Sequence, residues 1–300
     1  IVEDILQDVK IHGDKAIEKY TKKFDGFHPE PMQVSAKDLK TAWDETDQNL
    51  KKSLEIAYQR IKKFHEKEIP ESFTLQGEYG ESVQRRWMPV KNAGLYIPGG
   101  RAAYPSTVLM NAIPAKVAGV KRVIMCSPID EIDKHALAIV AADLCEVDEI
   151  YKMGGAHAIA ALAYGTESIV SVEKIVGPGN IYVSTAKKIV FGDVGIDNIA
   201  GPSEVVIIAD QTNNPDVVAM DLFSQAEHDE LAQAILISKS MRAIERIRLS
   251  MNKFIGDMSR ENIIRKSFLK RGMLIKTRND SETADLVNRI APEHLEIMSK

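Results

Sequence analysis

Gln225 and His228 stand three residues apart in the run SQAEHDE, residues 224–230. On a helix that spacing lets two side chains meet one ion, and histidine is a common zinc ligand. Glutamine is an unusual partner for it, and a pair leaves a tetrahedral site incomplete. A polar helix end washed by solvent fits the same residues. Asp221 shares their stripe, since 221, 225 and 228 fall at i, i+4 and i+7. A second pair, Glu293 and His294, follows Pro292, which ends the helix before it. A carboxylate beside an imidazole can supply a water-activating base and a proton acceptor. An exposed turn with two polar residues also accounts for them. Ser203 lies in the turn before an apolar strand and joins the same end of the sheet if the connection folds back.

Three strand-to-loop junctions are rich in glycine: Pro98-Gly99-Gly100, Gly154-Gly155 and Gly177-Pro178-Gly179-Asn180. In open α/β sheets ligands bind at the carboxyl ends of strands, where helix N-termini present free N–H groups. Junctions of this kind favour a phosphate-bearing ligand or a dinucleotide. None is a G-x-G-x-x-G fingerprint or a mononucleotide P-loop, and glycines also occupy such turns for steric reasons alone.

The elements that must position these residues alternate strand and helix from residue 93 onward. Strands are expected at 95–100, 122–128, 149–153, 174–180, 204–209, 234–238 and 273–276, with a last one beginning at His294. Helices are expected at 106–119, 132–144, 157–164, 181–190, 241–255 and 282–290. Asn214, Pro215 and Asp216 mark a further helix start: a cap, a first-turn proline and an acidic first turn. Alternation of this sort argues for parallel sheets with crossover helices. Residues 1–64 have a helical apolar period interrupted at Gly13, and 72–89 change to a period of two around Gly77–Gly80, which predicts a hairpin. The expected fold is α/β, with two Rossmann-like units behind a helical N-terminal region. One unit is an insertion over 96–202; the other is discontinuous, built from 1–95 plus 203–300.

The chain has 300 residues with 43 acidic and 39 basic side chains, a formal net charge of −4. No basic block stands out, so nucleic acid is not an expected partner. No apolar run approaches the roughly 20 residues of a membrane span, and no signal peptide opens the chain. Cys126 and Cys145 sit in apolar surroundings without metal-type spacing and read as buried free thiols, which suits a cytoplasmic location. His12, His28, His65 and His135 lie among charges and read as surface residues.

Seven segments together resemble the histidinol dehydrogenase family: GLYIPGG (94–100), YPSTVLMNAIPAKVAGV (104–120), GGAHAIAALAYGTE (154–167), VGPGNIYV (176–183), AGPSEVVIIAD (200–210), SQAEHDE (224–230) and APEHLEI (291–297). The resemblance implies zinc-dependent oxidation of L-histidinol to L-histidine through the aldehyde, with two NAD reduced, as a step of histidine biosynthesis. It implies Gln225 and His228 as zinc and substrate ligands and Ser203 as a substrate contact. His294, which also contacts substrate, is implied as the base for the alcohol, and Glu293 as the residue that activates water. Tyr96, His157 and Asn180 would lie on the NAD side, although the family usually has glutamine where His157 stands. The family's other zinc ligands, an aspartate and a histidine, lie further along than Lys300. Some substrate contacts come from the partner of an intertwined homodimer. The resemblance therefore implies that these 300 residues hold half a zinc site and are inactive alone. Two rivals remain at this stage: a related zinc/NAD dehydrogenase for another polar alcohol, and a nucleotide-binding relative without catalysis.

Overall fold

A computed structural model describes residues 1–99, 104–199 and 203–299 of the chain. Gly100, expected in the first glycine-rich turn, and Gly201-Pro202, expected before the central strand, lie outside them. The chain forms two compact units, Ile1–Ala200 and Gly201–Lys300.

The first unit opens with α1 (Val2–Tyr20), which bends at Gly13, where φ is 51°. It then passes through a wide turn at Thr21–Asp25 into α2 (Ala36–Glu45) and α3 (Gln48–His65). Strands β1 (Phe73–Gln76) and β2 (Ser82–Arg85) form the expected antiparallel hairpin, with Leu75 opposite Val83. Both its faces are exposed. The chain continues through β3 (Asn92–Tyr96), α4 (Pro105–Val117), β4 (Arg122–Ser127), α5 (Ala136–Leu144), β5 (Glu149–Lys152), α6 (Gly155–Tyr164), β6 (Lys174–Val176), α7 (Ile181–Val190) and β7 (Gly195–Ile196).

The sheet is parallel throughout, in the order β5-β4-β3-β6-β7. It is buried on both faces, which is why its strands read as unbroken apolar runs. In β4, Val123 and Met125 pack with α4 and α5, while Ile124 and Cys126 pack with α1 and α6. The apolar faces of α1, α2 and α3 are spent on α6, α5 and α4. Residues 1–95 thus cluster with this sheet in the unit Ile1–Ala200. The surface reading of His135 is corrected: it is 7% exposed, and its ring meets Asp130 at 2.9 Å just before α5 begins.

The second unit contains β8 (Glu204–Ile208), α8 (Pro215–Ala226), β9 (Gln233–Ser238), α9 (Met241–Phe254), α10 (Glu261–Arg271), β10 (Met273–Lys276), α11 (Asp280–Ile290) and β11 (His294–Ile297). Its sheet, also parallel, has the order β10-β9-β8-β11. Val205 and Ile207 of β8 pack under α8 and α9; Val206 faces the other way, with Val287 of α11. In each sheet the strand order reverses once, between β3 and β6 and between β8 and β11. Ligands of open α/β sheets collect at such reversals.

Candidate active site

In the second unit the polar residues singled out in the sequence collect at the amino ends of the strands. Ser203 stands directly before β8, and its carbonyl accepts a hydrogen bond from the first amide of β9, Gln233 N–H, at 3.0 Å. His294 is the first residue of β11 and pairs in register with Val205. Helix α8 returns its carboxyl end to the same edge, because only a short turn separates Ala226 from β9.

Asn214 caps the start of α8, accepting from Asp216 N–H at 3.0 Å, with Pro215 in the first turn as the sequence predicts. The helix stops at Ala226, however, so His228 is not on its stripe. His228 N–H closes a tight turn onto the Gln225 carbonyl at 3.2 Å, and the Asp229 carboxylate accepts from Leu231 N–H at 2.8 Å. Three successive polar residues have no apolar face to extend the helix with, and the aspartate side chain stabilises the turn instead. His228 is exposed.

Gln225 carries the clearest signal. Val218, Leu222 and Gln225 share one face of α8, and all three are buried. The Gln225 side chain is 8% exposed, and its Nε2 has no hydrogen-bond partner. An amide buried in an apolar stripe without a partner costs free energy, so a ligand is the natural complement. Which end of the amide faces the gap is an assignment; turned over, it offers an oxygen. That donor suits a metal. Among the described residues no group of three or more His, Cys, Asp or Glu is placed to hold one.

Alternation fixes which way β11 faces. Residues paired across a parallel ladder point to the same side, so His294, opposite Val205, and Glu296, opposite Ile207, face α8. Glu296 is half-buried, and burial followed by the nearby negative charge of Asp221 pushes its carboxyl above the usual range, with His294 acting the other way. The charges of Asp221 and His294 thus both reach the Glu296 carboxyl. Sequence reasoning missed Glu296, although its position two residues after His294 in a strand was the available signal. Glu293 and His294 are exposed by 57% and 58%, with Oε1 and Nε2 3.9 Å apart. Both are open to a reactant.

The first unit gathers the other residues at the carboxyl edge of its sheet, around the β3/β6 reversal. Tyr96 ends β3, is buried, and its hydroxyl accepts from Gly155 N–H at 3.1 Å. Burial pushes that hydroxyl up to about 12. Helix α6 starts at Gly155, and its first amides are already taken: Gly155 N–H by Tyr96, and Gly154 N–H by the Asp25 carboxylate at 3.0 Å, whose charge complements the positive helix end. Asn180 is exposed and caps α7, accepting from Tyr182 and Val183 N–H at 3.0 and 3.1 Å. His157 is wholly buried. Its Nε2 lies 3.2 Å from Thr21 Oγ1 and 3.5 Å from Asp25, and its ring packs near Tyr20 and Phe24, so it ties α6 to the end of α1. Its Nδ1 has no partner. Tyr96 and Asn180 stand at the carboxyl ends of the strands beside the β3/β6 reversal, the place where such sheets bind dinucleotides.

Both cysteines are buried free thiols. Burial raises each, Cys145 to about 12 and Cys126 further, so neither is a ready nucleophile. Among the described residues no helix is long and apolar enough to cross a membrane.

These features place the chain among α/β enzymes built on Rossmann-like parallel sheets. A family model for histidinol dehydrogenase matches residues 1–300. Histidinol dehydrogenase of Prochlorococcus marinus subsp. pastoris is 61% identical over 300 residues, covering 100% of this chain and 70% of the relative. That of Sulfurimonas denitrificans is 47% identical, covering 98% and 69%. The crystal structure of histidinol dehydrogenase from Elizabethkingia anophelis superposes with a TM-score of 0.92 at 36% identity, covering 99% of this chain and 69% of that one. The chain belongs to the histidinol dehydrogenase family, and with it to the oxidoreductases of histidine biosynthesis.

Proposed function

We propose that the protein oxidises L-histidinol to L-histidine through the aldehyde, with two NAD reduced and zinc at the amino edge of the second sheet. The observation that carries this reading is the unpartnered amide of Gln225, buried on the face of α8 toward which β11 turns His294.

Gln225 and His228 would hold zinc, which when bound polarises the substrate oxygen. Four ligands complete such a site; the family resemblance supplies the other two, an aspartate and a histidine, from a segment further along. Tyr96 and Asn180 would hold NAD, the acceptor of hydride in each oxidation, at the β3/β6 reversal, and His157 would support them from beneath α6.

His294 takes the alcohol proton as the carbinol is oxidised. Its exposed ring, on a strand whose register fixes its direction, leaves room for a substrate and for proton exchange with water. Ser203, at the head of the paired strand, would hydrogen-bond the substrate. Oxidation of the aldehyde needs an oxygen nucleophile, and the exposed Glu293 carboxylate is free to take a proton from water as it adds to the carbonyl. Thiol addition is disfavoured, because Cys126 and Cys145 are buried and held protonated. The full natural chain, loaded with zinc, should reduce NAD when given L-histidinol. Turnover with other amino alcohols but not with this one would sink the substrate assignment.

A further inference from the structure

Gly177, the first residue after β6, is held in a way its neighbours are not. Its N–H donates to Asp197 Oδ2 at 2.8 Å, and its carbonyl accepts from Lys187 Nζ at 3.0 Å. Lys187 and Asp197 also bond to each other. Three groups therefore close a ring in which both polar atoms of one glycine are taken by opposite charges. Lys187 is 3% exposed, so its ammonium depends on these two acceptors.

Each arm of the ring is anchored separately. Lys187 lies in the last turn of α7, and side chains lean toward a helix N-terminus, which brings the ammonium back toward the loop before that helix. Asp197 follows β7, and its own N–H donates to the Ile175 carbonyl of β6 at 3.2 Å. The glycine itself admits no substitute: φ is 119°, and a Cβ would lie 2.1 Å from the Tyr96 carbonyl oxygen. The backbone after β6 is thus pressed against the end of β3 and clamped there by charge-assisted bonds. Three residues further on, Asn180 begins α7.

We infer that Lys187 and Asp197 are positioning residues for the dinucleotide, fixing the Gly177–Asn180 turn against Tyr96 so that the carboxyl edge of the first sheet is preformed. This rests on the assignment of that edge to NAD. Neither residue touches the cofactor; they act through Gly177. A fixed turn spares the ligand the cost of ordering it, so loosening it weakens cofactor binding without altering the acid–base residues of the second unit.

The test uses the full natural chain and three variants: Lys187→Met, Lys187→Arg, and the double Lys187→Met/Asp197→Leu, which leaves neither charge of the pair without its partner and is the form most able to fold. Hydrogen exchange of the peptide spanning 174–182 is measured without NAD. NAD binding is then measured by titration, and KM for each substrate and kcat by steady-state kinetics. Faster exchange in that peptide is expected in Lys187→Met and in the double variant. KM and Kd for NAD should rise roughly tenfold to a hundredfold, with kcat at saturating NAD and KM for histidinol unchanged and partial recovery in Lys187→Arg. Unchanged exchange, or faster exchange with unchanged NAD affinity, would overturn the proposal. A parallel fall in kcat and in affinity for both substrates would do the same, since it reports general loosening. An unaltered chain that does not bind NAD would sink the assignment of the edge itself, and this shows before any variant is made.

Discussion

His294 opens β11 directly across the ladder from Val205 of β8, two residues after Ser203. That one register pair decides which face of the sheet the imidazole looks toward, and it is the face covered by α8. A slip of one residue would turn His294 to the opposite face, where α11 packs, and bring Leu295 under α8 instead. His294 therefore owes its direction to strand register rather than to a loop. It is at the amino edge of a parallel sheet, opposite to the carboxyl edge where such sheets usually bind ligands.

Gln225 gives a prediction that separates a ligand from a core residue. If its amide is there for a metal, Gln225→Leu should keep the volume and remove a buried polar group that has no partner. Metal-free protein should then be as stable as before or more so, by about 1–3 kcal/mol. Zinc affinity should fall all the same. Thermal unfolding with and without zinc measures both, and a clear loss of stability in the metal-free variant would mean that the amide serves the fold.

Alkaline stability should follow the buried acids of the first unit. Cys145 is raised from 9.0 to about 12 and Tyr96 from 10.0 to about 12, both by burial first. A raised folded-state value means that the native state holds the proton longer than the unfolded chain does. The stabilisation is complete below about pH 9 and is lost as pH climbs toward about 12. Denaturant melts across this range should show the decline, and Tyr96→Phe should flatten the part above about pH 10. Thiol reagents should leave both cysteines unmodified in the native protein at neutral pH; rapid labelling of either would reopen the case for a thiol nucleophile.

Asn180 caps α7, and under the proposed function it would also contact NAD, two jobs that substitution separates. As the cap of α7 its loss in Asn180→Ala should cost about 1 kcal/mol. Asn180→Asp keeps the capping oxygen but not the amide donors. Stability should return in Asn180→Asp while NAD affinity stays low; full recovery of both would reduce Asn180 to a helix cap.

Much of this arrangement could be read from the residues. The Asn214-Pro215-Asp216 start of α8 appears as expected, since capping chemistry is local. So does α7, at residues 181–190. Tertiary packing hid the rest. Helix α10, ENIIRKSFLKR, escapes a periodicity reading because only Ile264 and Ser267 are buried in it. The surface reading of His135 failed because the ring folds back onto Asp130, a choice its charged neighbours do not reveal. The helical stripe of α8 does not reach His228, because Asp229 stabilises a turn there instead. Nothing in residues 1–95 says which helices will cover their apolar faces; α1, α2 and α3 pack on α6, α5 and α4. The Lys187–Asp197 clamp was likewise invisible, because a lysine near a helix end usually faces water.

The most direct measurement counts NADH formed per L-histidinol by the full natural chain with zinc, beside Glu293→Gln and His294→Ala. Two NADH per substrate are expected from the unaltered protein. His294→Ala should slow the first oxidation by roughly a hundredfold or more, with an unchanged melting temperature. Glu293→Gln should still oxidise the alcohol but stall at the aldehyde, giving close to one NADH in a single turnover. Two NADH at near-normal rates from either variant would contradict the assignment of the amino edge of the second sheet as the place where the proton and the water are handled.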